Sequence, residues 1–168
     1  MGFWMSIGEA LRILGLMVIL LAAARSDLKT YEIPDSVHVA AIFWWLVWLP
    51  LEGDSWTFYA LGGIAGGAGI AGGLLVLSMI MDRILGKESL GGGDIKLFFV
   101  TGLYLGPAGN LFNLMLSCVL GILHGVLLMR LHPETKQPRI PFALATAVST
   151  CFCLLAGDAV IEWYLSLF

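Results

Sequence analysis

Two aspartates stand at the edges of apolar segments, where a charge is costly in a membrane protein unless it has a function. Asp94 follows three consecutive glycines, residues 91–93, and an apolar segment begins directly after it. Asp27 follows the first apolar segment of the chain. Two carboxylates held close together cannot both ionise cheaply, so such a pair shares one proton. One member can then take a proton from water while the other donates to a carbonyl, which is acid–base hydrolysis of an amide.

The positions of these two acids also permit simpler roles. Aspartate is favoured as the N-cap of a helix, where the helix dipole stabilises its charge, and Asp94 is placed to act in this way. Asp27 could be a solvated loop acid beside Arg25 and Lys29. Further acids are expected on the same face, so spacing by itself does not select a pair: Glu32, Asp35, Asp82, Glu88 and Glu134.

Other catalytic and ligand-binding patterns are missing from the sequence. There is no HExxH zinc motif, and residues 53–57 read Gly-Asp-Ser-Trp-Thr, which is no GxSxG elbow. The Gly-Lys pair at 86–87 is followed by glutamate rather than the Ser or Thr of a phosphate loop. The three cysteines form no CxxC pair, which argues against a zinc knuckle. We expect no metal and no cofactor, and we expect His124 to be a packed core residue.

The composition indicates a membrane protein. The chain has 168 residues, of which 59% are hydrophobic and 12% charged, and its mean hydropathy is +0.91. Soluble domains carry about 25% charged residues, so this chain has too few charges to solvate a globule of its size. The net charge of −3 gives no indication of nucleic-acid binding. We therefore expect the lipid bilayer to be the solvent.

We predict an all-α fold, with residues 1–168 forming one membrane-embedded domain of about six transmembrane helices. The predicted spans are residues 7–24, 36–51, 56–81, 95–105, 111–129 and 141–165. The first is expected to be a retained helix, because no basic cluster precedes it as in a signal peptide. The span 95–105 is shorter than the roughly 20 residues of a full crossing. It therefore either continues through 106–110 or forms a broken helical pair with the next span.

Glycines in the third span predict close helix packing, because GxxxG pairs let helix backbones approach each other in lipid. The pairs are Gly62 with Gly66, Gly63 with Gly67, and Gly69 with Gly73.

Lysine and arginine positions predict the orientation. Eight of the nine lie in three predicted loops, 25–36, 82–96 and 130–141, while the other loops and both termini hold none. The positive-inside rule places these loops in the cytoplasm and both termini outside, which requires an even number of crossings. Asp27 and Asp94 then lie on the same, cytoplasmic side.

The two acids and their neighbours resemble motifs of the type IV prepilin leader peptidases, a family of membrane aspartic proteases that includes the pseudopilin peptidases of type II secretion. Asp27 with the Pro-Asp pair at 34–35 is similar to the D-x6-P-[DN] pattern of that family. Residues 91–96 match its GxGD-x-K pattern, and the Ile-Pro-Phe run at 140–142 resembles the start of its last span. The resemblance covers nearly the whole chain.

The resemblance implies that Asp27 and Asp94 are the catalytic pair. It implies supporting motif roles for five more residues, Pro34, Asp35, Gly91, Gly93 and Lys96. The substrate would be a prepilin or pseudopilin, with a short basic leader that usually ends in glycine and is followed by an apolar helix. Cleavage would occur at the cytoplasmic face of a prokaryotic inner membrane, where the acidic site complements a basic leader.

Two departures from the family pattern add expectations. Many bacterial members carry a cysteine-rich region near the N-terminus and N-methylate the new terminus, whereas few residues precede the first span here and no cysteine pair exists. We expect a peptidase without methyltransferase activity and without an S-adenosylmethionine site. The run 140–142 also lacks the Gly-Pro that often follows, which leaves the groove shape open. The compact form is similar to Flp-type and preflagellin peptidases as well, so the substrate subtype and the oligomeric state stay open.

Two alternatives come from other functional classes. Intramembrane acids, a glycine-rich span and a broken helix also fit a small ion-coupled transporter or channel. Against that reading, both acids are expected at one surface, and spans two to five carry no acid at mid-membrane. A structural subunit of a secretion or pilus assembly is the third possibility, and it predicts that the purified protein processes nothing.

Overall fold

The computed structural model describes residues 7–87, 89–131 and 141–166. These residues form helices and short connections without any strand, so the predicted all-α class is confirmed for them. The helices are α1 (Ile7–Thr30), α2 (Asp35–Trp48), a 3-10 segment (Leu49–Ser55), α3 (Trp56–Leu85), α4 (Gly92–Leu131) and α5 (Ala143–Leu165). The predicted residues Glu88, Glu134 and Ile140, and most of the basic loop 130–141, lie outside the described residues.

The first helix is longer than predicted. We expected it to end at residue 24 and a polar loop to follow, but α1 continues to Thr30 and includes Asp27. The Ser26 hydroxyl donates to the Glu32 carbonyl at 2.9 Å, and Tyr31 adopts a left-handed φ of 55° that ends the helix. The last turn of α1 is rich in polar residues, which is why the sequence pattern resembles that of a loop.

The 40 residues of α4 form a helical hairpin. A straight helix of that length would extend about 60 Å, twice the roughly 30 Å of a bilayer core. At Gly106 the backbone leaves the helical region, with φ 66° and ψ −174°, and Pro107 follows. The first arm, residues 92–105, and the second arm, residues 107–131, therefore fold against each other. Of the two alternatives that the sequence left open for residues 95–105, the broken pair of a short and a longer span is therefore the one that forms.

Side chains at the bend hold the two arms together. The Asn110 amide donates to the carbonyls of Phe98 at 2.9 Å and Gly66 at 3.0 Å, and its oxygen accepts from Thr101 at 3.0 Å. Phe98 and Asn110 are 12 residues apart, which would separate them by about 18 Å in a straight helix. Asn110 is completely buried, so these bonds form away from competing water and fix the hairpin.

Helix α3 packs against the first arm through glycines. A Cβ at Gly63 would overlap the Leu103 backbone, and one at Gly66 would overlap the backbone at Gly106. The close approach that GxxxG predicted is therefore confirmed for the Gly63 and Gly67 pair and for Gly66. It is wrong for Gly62 and for the Gly69 and Gly73 pair, where an added Cβ would meet no atom of the described residues within 4 Å.

The distribution of polar and apolar side chains is that of a membrane protein. Val18, Phe43 and Phe58 are 67%, 66% and 78% exposed, while Asn113 and Ser149 are completely buried. Three helices, α1, α3 and α4, are long and apolar enough to cross a membrane, and shorter apolar helices cover 35–51 and 143–157. With α4 counted as two arms, the described residues supply six helical segments for the predicted bundle.

The packing of α3 predicts opposite effects for two alanine substitutions. Gly66→Ala should destabilise the protein by about 1–3 kcal/mol, because its Cβ overlaps backbone that cannot move aside. Gly69→Ala, one turn away, should leave stability unchanged or raise it by up to about 1 kcal/mol, because alanine favours the helix. Thermal unfolding in detergent measures both. Equal melting temperatures for the two variants would contradict the close packing of α3 on the hairpin.

Candidate active site

Asp27 lies near the end of α1 and bonds to the start of α5. Its side chain is only 7% exposed, and its Oδ2 accepts a hydrogen bond of 2.9 Å from the Ala143 amide. Ala143 is the first residue of α5, so the carboxylate satisfies a backbone donor at a helix N-terminus and interacts with the positive end of that helix. Asp27 is therefore not the solvated loop acid that the sequence also permitted.

Asp94 lies in the first turn of α4. Its amide donates to the Gly91 carbonyl at 3.1 Å, and the helix begins at Gly92, so Asp94 is not its N-cap. The side-chain Oδ1 is buried and has no hydrogen-bond partner among the residues that the structure describes. The carboxyl groups of Asp94 and Asp27 lie close enough to interact electrostatically. The fold thus brings together two acids that are far apart in the sequence.

The start of α2 contacts the glycine run before Asp94. An added Cβ at Gly93 would lie 3.3 Å from the Cβ of Ile33. The ring Nε2 of His38 lies 3.1 Å from the Gly93 carbonyl oxygen, and the Lys96 ammonium lies 2.6 Å from Asp35. Two of the predicted supporting residues, Asp35 and Lys96, are therefore paired with each other next to the acids.

The remaining supporting residues have backbone roles. The Gly91 carbonyl accepts from the amides of Asp94 and Ile95 in the first turn of α4. The Pro34 carbonyl accepts from the Val37 amide at 3.0 Å in the first turn of α2. Both residues shape the ends of helices that lead into the site.

Phe142 connects the start of α5 to both arms of α4. Its ring packs against Phe98 of the first arm, with centroids 6.2 Å apart. On the second arm, an added Cβ at Gly121 would overlap the same ring. The aromatic residue of the run 140–142 therefore fixes where α5 begins, and so where the Ala143 amide meets Asp27.

Other acids on this face have different surroundings. Glu32 is exposed, and Asp35 is 75% exposed and paired with Lys96. Asp82 accepts from the Ser89 amide at 2.6 Å and from its hydroxyl at 2.7 Å, which closes the turn after α3. Within the described residues, burial and mutual interaction single out Asp27 and Asp94, a choice that spacing could not make.

His38 is the residue of this site that the sequence reasoning missed, since no role was assigned to it. It is 5% exposed and bonds to the residue before Asp94. A signal was present, because Asp35 and His38 are three residues apart and share a helix face. That spacing indicates only a shared helix face. It does not predict the contact with Gly93, which is 55 residues away in the sequence.

The opposite end of the helices holds a cavity of about 510 Å³, lined in part by Arg12, Trp48 and Gly106. Neither acid lines it. No group of three His, Cys, Asp or Glu side chains in the described part of the chain could hold a metal ion. The cavity is therefore separate from the end of the bundle where Asp27 and Asp94 lie.

Comparison with known proteins identifies a family. The family model described as "Type IV leader peptidase family" matches residues 14–126, a range that contains both acids. A protein of Aeromonas hydrophila named "Prepilin leader peptidase/N-methyltransferase" is 33% identical over 154 residues, which cover 89% of this chain and 51% of that protein. A Bacillus subtilis protein of the same name is 34% identical over 114 residues, covering 68% of this chain and 42% of that protein.

The chain spans about half the length of the curated relatives it matches. No solved structure matches it at a comparable level of significance.

The Asp27 contact predicts a stability difference between two uncharged variants. Asp27→Ala should be less stable than Asp27→Asn by about 1 kcal/mol, because asparagine retains an oxygen that can accept from the Ala143 amide. Since both changes remove the charge, the comparison isolates the hydrogen bond. Thermal unfolding in detergent provides the measurement, and identical melting temperatures would exclude a capping role for Asp27.

Proposed function

This chain belongs to the type IV leader peptidase family, and we propose that it is a membrane aspartic endopeptidase. Asp27 and Asp94 are its catalytic pair, within a single membrane-embedded domain of residues 1–168. The observation that carries this proposal is the electrostatic interaction of two acids, the buried Asp27 at the end of α1 and the partly buried Asp94 at the start of α4, whose Oδ1 is shielded from water. Two interacting carboxyl groups shielded in this way are costly for folding and suited to acid–base chemistry.

The proposed substrate is a type IV prepilin or a pseudopilin. Its short basic leader would approach the end of the bundle that holds Asp27 and Asp94, and its apolar helix would lie in the bilayer beside the protein. The relatives' names include prepilin leader peptidase, and the exposed glycines at 91 and 92 leave the backbone before Asp94 open to an extended segment. We propose that this end faces the cytoplasm and that both termini lie outside, as the basic loops predict.

The surroundings of the two acids suggest different roles for them. Asp27 accepts an amide hydrogen bond at a helix N-terminus, an arrangement that suits the negatively charged member. Asp94, whose Oδ1 has no partner among the described residues, is suited to hold the shared proton. Asp27 would take a proton from a water molecule whose oxygen attacks the scissile carbonyl carbon, while Asp94 donates its proton to the carbonyl oxygen. The C–N bond then breaks as the leaving amine takes the proton from Asp27, and a hydroxyl of the tetrahedral intermediate returns a proton to Asp94, which leaves a carboxylic acid and restores the pair.

The pair predicts that neutral variants fold but do not cleave. Asp27→Asn and Asp94→Asn should each lower prepilin processing by about 10²–10⁴-fold or more, because each removes one partner in proton transfer. The measurement is leader removal by purified protein from a co-reconstituted prepilin. The exposed acid Glu32 offers a matched control in Glu32→Gln, which should process at the wild-type rate.

Two results would contradict this assignment. Normal cleavage by either Asp→Asn variant would exclude the pair, and no cleavage by the well-folded wild-type protein would favour a structural role in a secretion or pilus assembly. Methylation of the product is a separate question, and the expectation that this chain lacks that activity stays a prediction.

The contact between Gly93 and Ile33 predicts a second effect on turnover. Gly93→Val should reduce turnover more than expression, because the new side chain meets Ile33 and displaces the backbone next to Asp94. Gly62→Val on α3 is the matched control, since an added Cβ there meets no atom of the described residues within 4 Å and Gly62 lines the cavity at the opposite end of the helices. The ratio of cleavage rate to membrane-inserted protein is the measurement. An equal fall of both quantities for Gly93→Val would indicate a folding defect instead.

A further inference from the structure

The segment before Asp94 needs a restraint that its own sequence does not supply. Three glycines precede the acid, and glycine loses more conformational freedom on folding than any other residue. Gly92 and Gly93 already lie inside α4, where glycine is among the weakest helix formers. The first turn of this helix is therefore intrinsically loose, and contacts from elsewhere must define its position.

The Oδ1 of Asp94 supplies no such restraint, because it is buried without a hydrogen-bond partner among the described residues. The location of the carboxyl group therefore depends strongly on the backbone that carries it. On the side of α2, that backbone meets two side chains, Ile33 and His38, and both contacts are made to Gly93.

The His38 contact is a hydrogen bond, which restrains direction as well as distance, whereas the Ile33 contact is only a packing contact. A carbonyl oxygen can only accept, so the His38 Nε2 at 3.1 Å from the Gly93 oxygen carries the proton and donates it. The ring is 5% exposed, so water competes little for this bond. The nearby pair of Lys96 and Asp35 is 55% and 75% exposed, and exposed ion pairs of this kind contribute little to geometry or stability.

We infer that His38 is a positioning residue for Asp94: by donating to the Gly93 carbonyl, it fixes the peptide unit that carries the acid. The Gly93 carbonyl and the Asp94 amide belong to the same planar peptide unit. A bond to one end therefore restrains the other, and with it the Cα of Asp94. The inference concerns the order of the backbone at Gly93 and Asp94, which can be measured without an activity assay. Its consequence for catalysis rests on the proposed function.

Three variants at His38 distinguish a donor from a space-filling ring. His38→Ala removes the donor. His38→Gln carries an amide nitrogen about as far from the backbone as Nε2, and His38→Asn places it about where Nδ1 lies, too near its own backbone to reach Gly93. His124→Gln, on the second arm of α4, is the control for replacement of a histidine that makes no hydrogen bond to Gly93 in the described part of the chain.

The first measurement is amide hydrogen exchange of residues 91–96 in detergent. Exchange in this segment should accelerate about tenfold in His38→Ala and His38→Asn and return to within about threefold of wild type in His38→Gln, as a lost or restored hydrogen bond of ordinary strength requires. The His124→Gln variant should match wild type. Unchanged exchange in His38→Ala would overturn the inference, whether or not the protein cleaves prepilin.

The second measurement is prepilin cleavage by the same variants. His38→Ala and His38→Asn should lose about tenfold or more in kcat, with KM within about threefold of wild type, because a displaced acid affects the transition state more than substrate binding. His38→Gln should recover most of kcat. Equal loss in all three variants, or faster exchange throughout the chain with a lower melting temperature, would mean that His38 serves only folding and would also overturn the inference.

If wild-type protein cleaves nothing while the exchange pattern follows the prediction, the proposed function fails and the positioning of residue 94 stands.

Discussion

The hydrogen bond from the Ala143 amide to the Asp27 carboxylate connects the last turn of α1 to the first residue of α5. A carboxylate that is 7% exposed is tolerated only where donors and dipoles replace its lost hydration. The start of α5 supplies both. The position of Phe142, which packs on both arms of α4, in turn fixes where that helix begins. One polar contact at the end of the bundle thus relates α1, α4 and α5.

The first arm of α4 carries Asp94 at the end of the bundle where Asp27 lies. Because the chain reverses at Gly106, both arms of the hairpin fit the thickness of a bilayer, and the second arm returns to Phe142 at that same end. Buried polar groups, chiefly Asn110 and Thr101, hold the arms together. The glycines of α3 allow this helix to lie directly against the first arm. The interior holds buried polar side chains among close-packed apolar ones, while many large apolar side chains are exposed, as expected where lipid is the solvent.

The two acids have different surroundings in the fold. Asp27 accepts a hydrogen bond from the Ala143 amide, whereas Asp94 has a buried oxygen without a partner among the described residues. A buried polar atom left unpaired costs stability, and functional sites are where such costs are retained. Next to Asp94, the contacts of Ile33 and His38 with Gly93 restrain the backbone that carries the acid. The site therefore combines one acid fixed by its side chain with one fixed by its main chain.

The sequence by itself determined the class of the protein, because a composition of 59% hydrophobic and 12% charged residues can be solvated only by lipid. It offered a break at Gly106-Pro107 as one of two alternatives for the short span, and the resemblance of its motifs to those of a peptidase family put forward Asp27 and Asp94 as the catalytic pair. It misplaced the end of α1, because a polar last turn and a loop have the same composition. Only the tertiary structure decided that Asp27 accepts from Ala143 and that His38 reaches Gly93. These contacts join residues that are 116 and 55 positions apart in the sequence. Helix periodicity relates residues only within a few turns of one helix. Pairings between distant residues depend instead on how whole helices pack against each other.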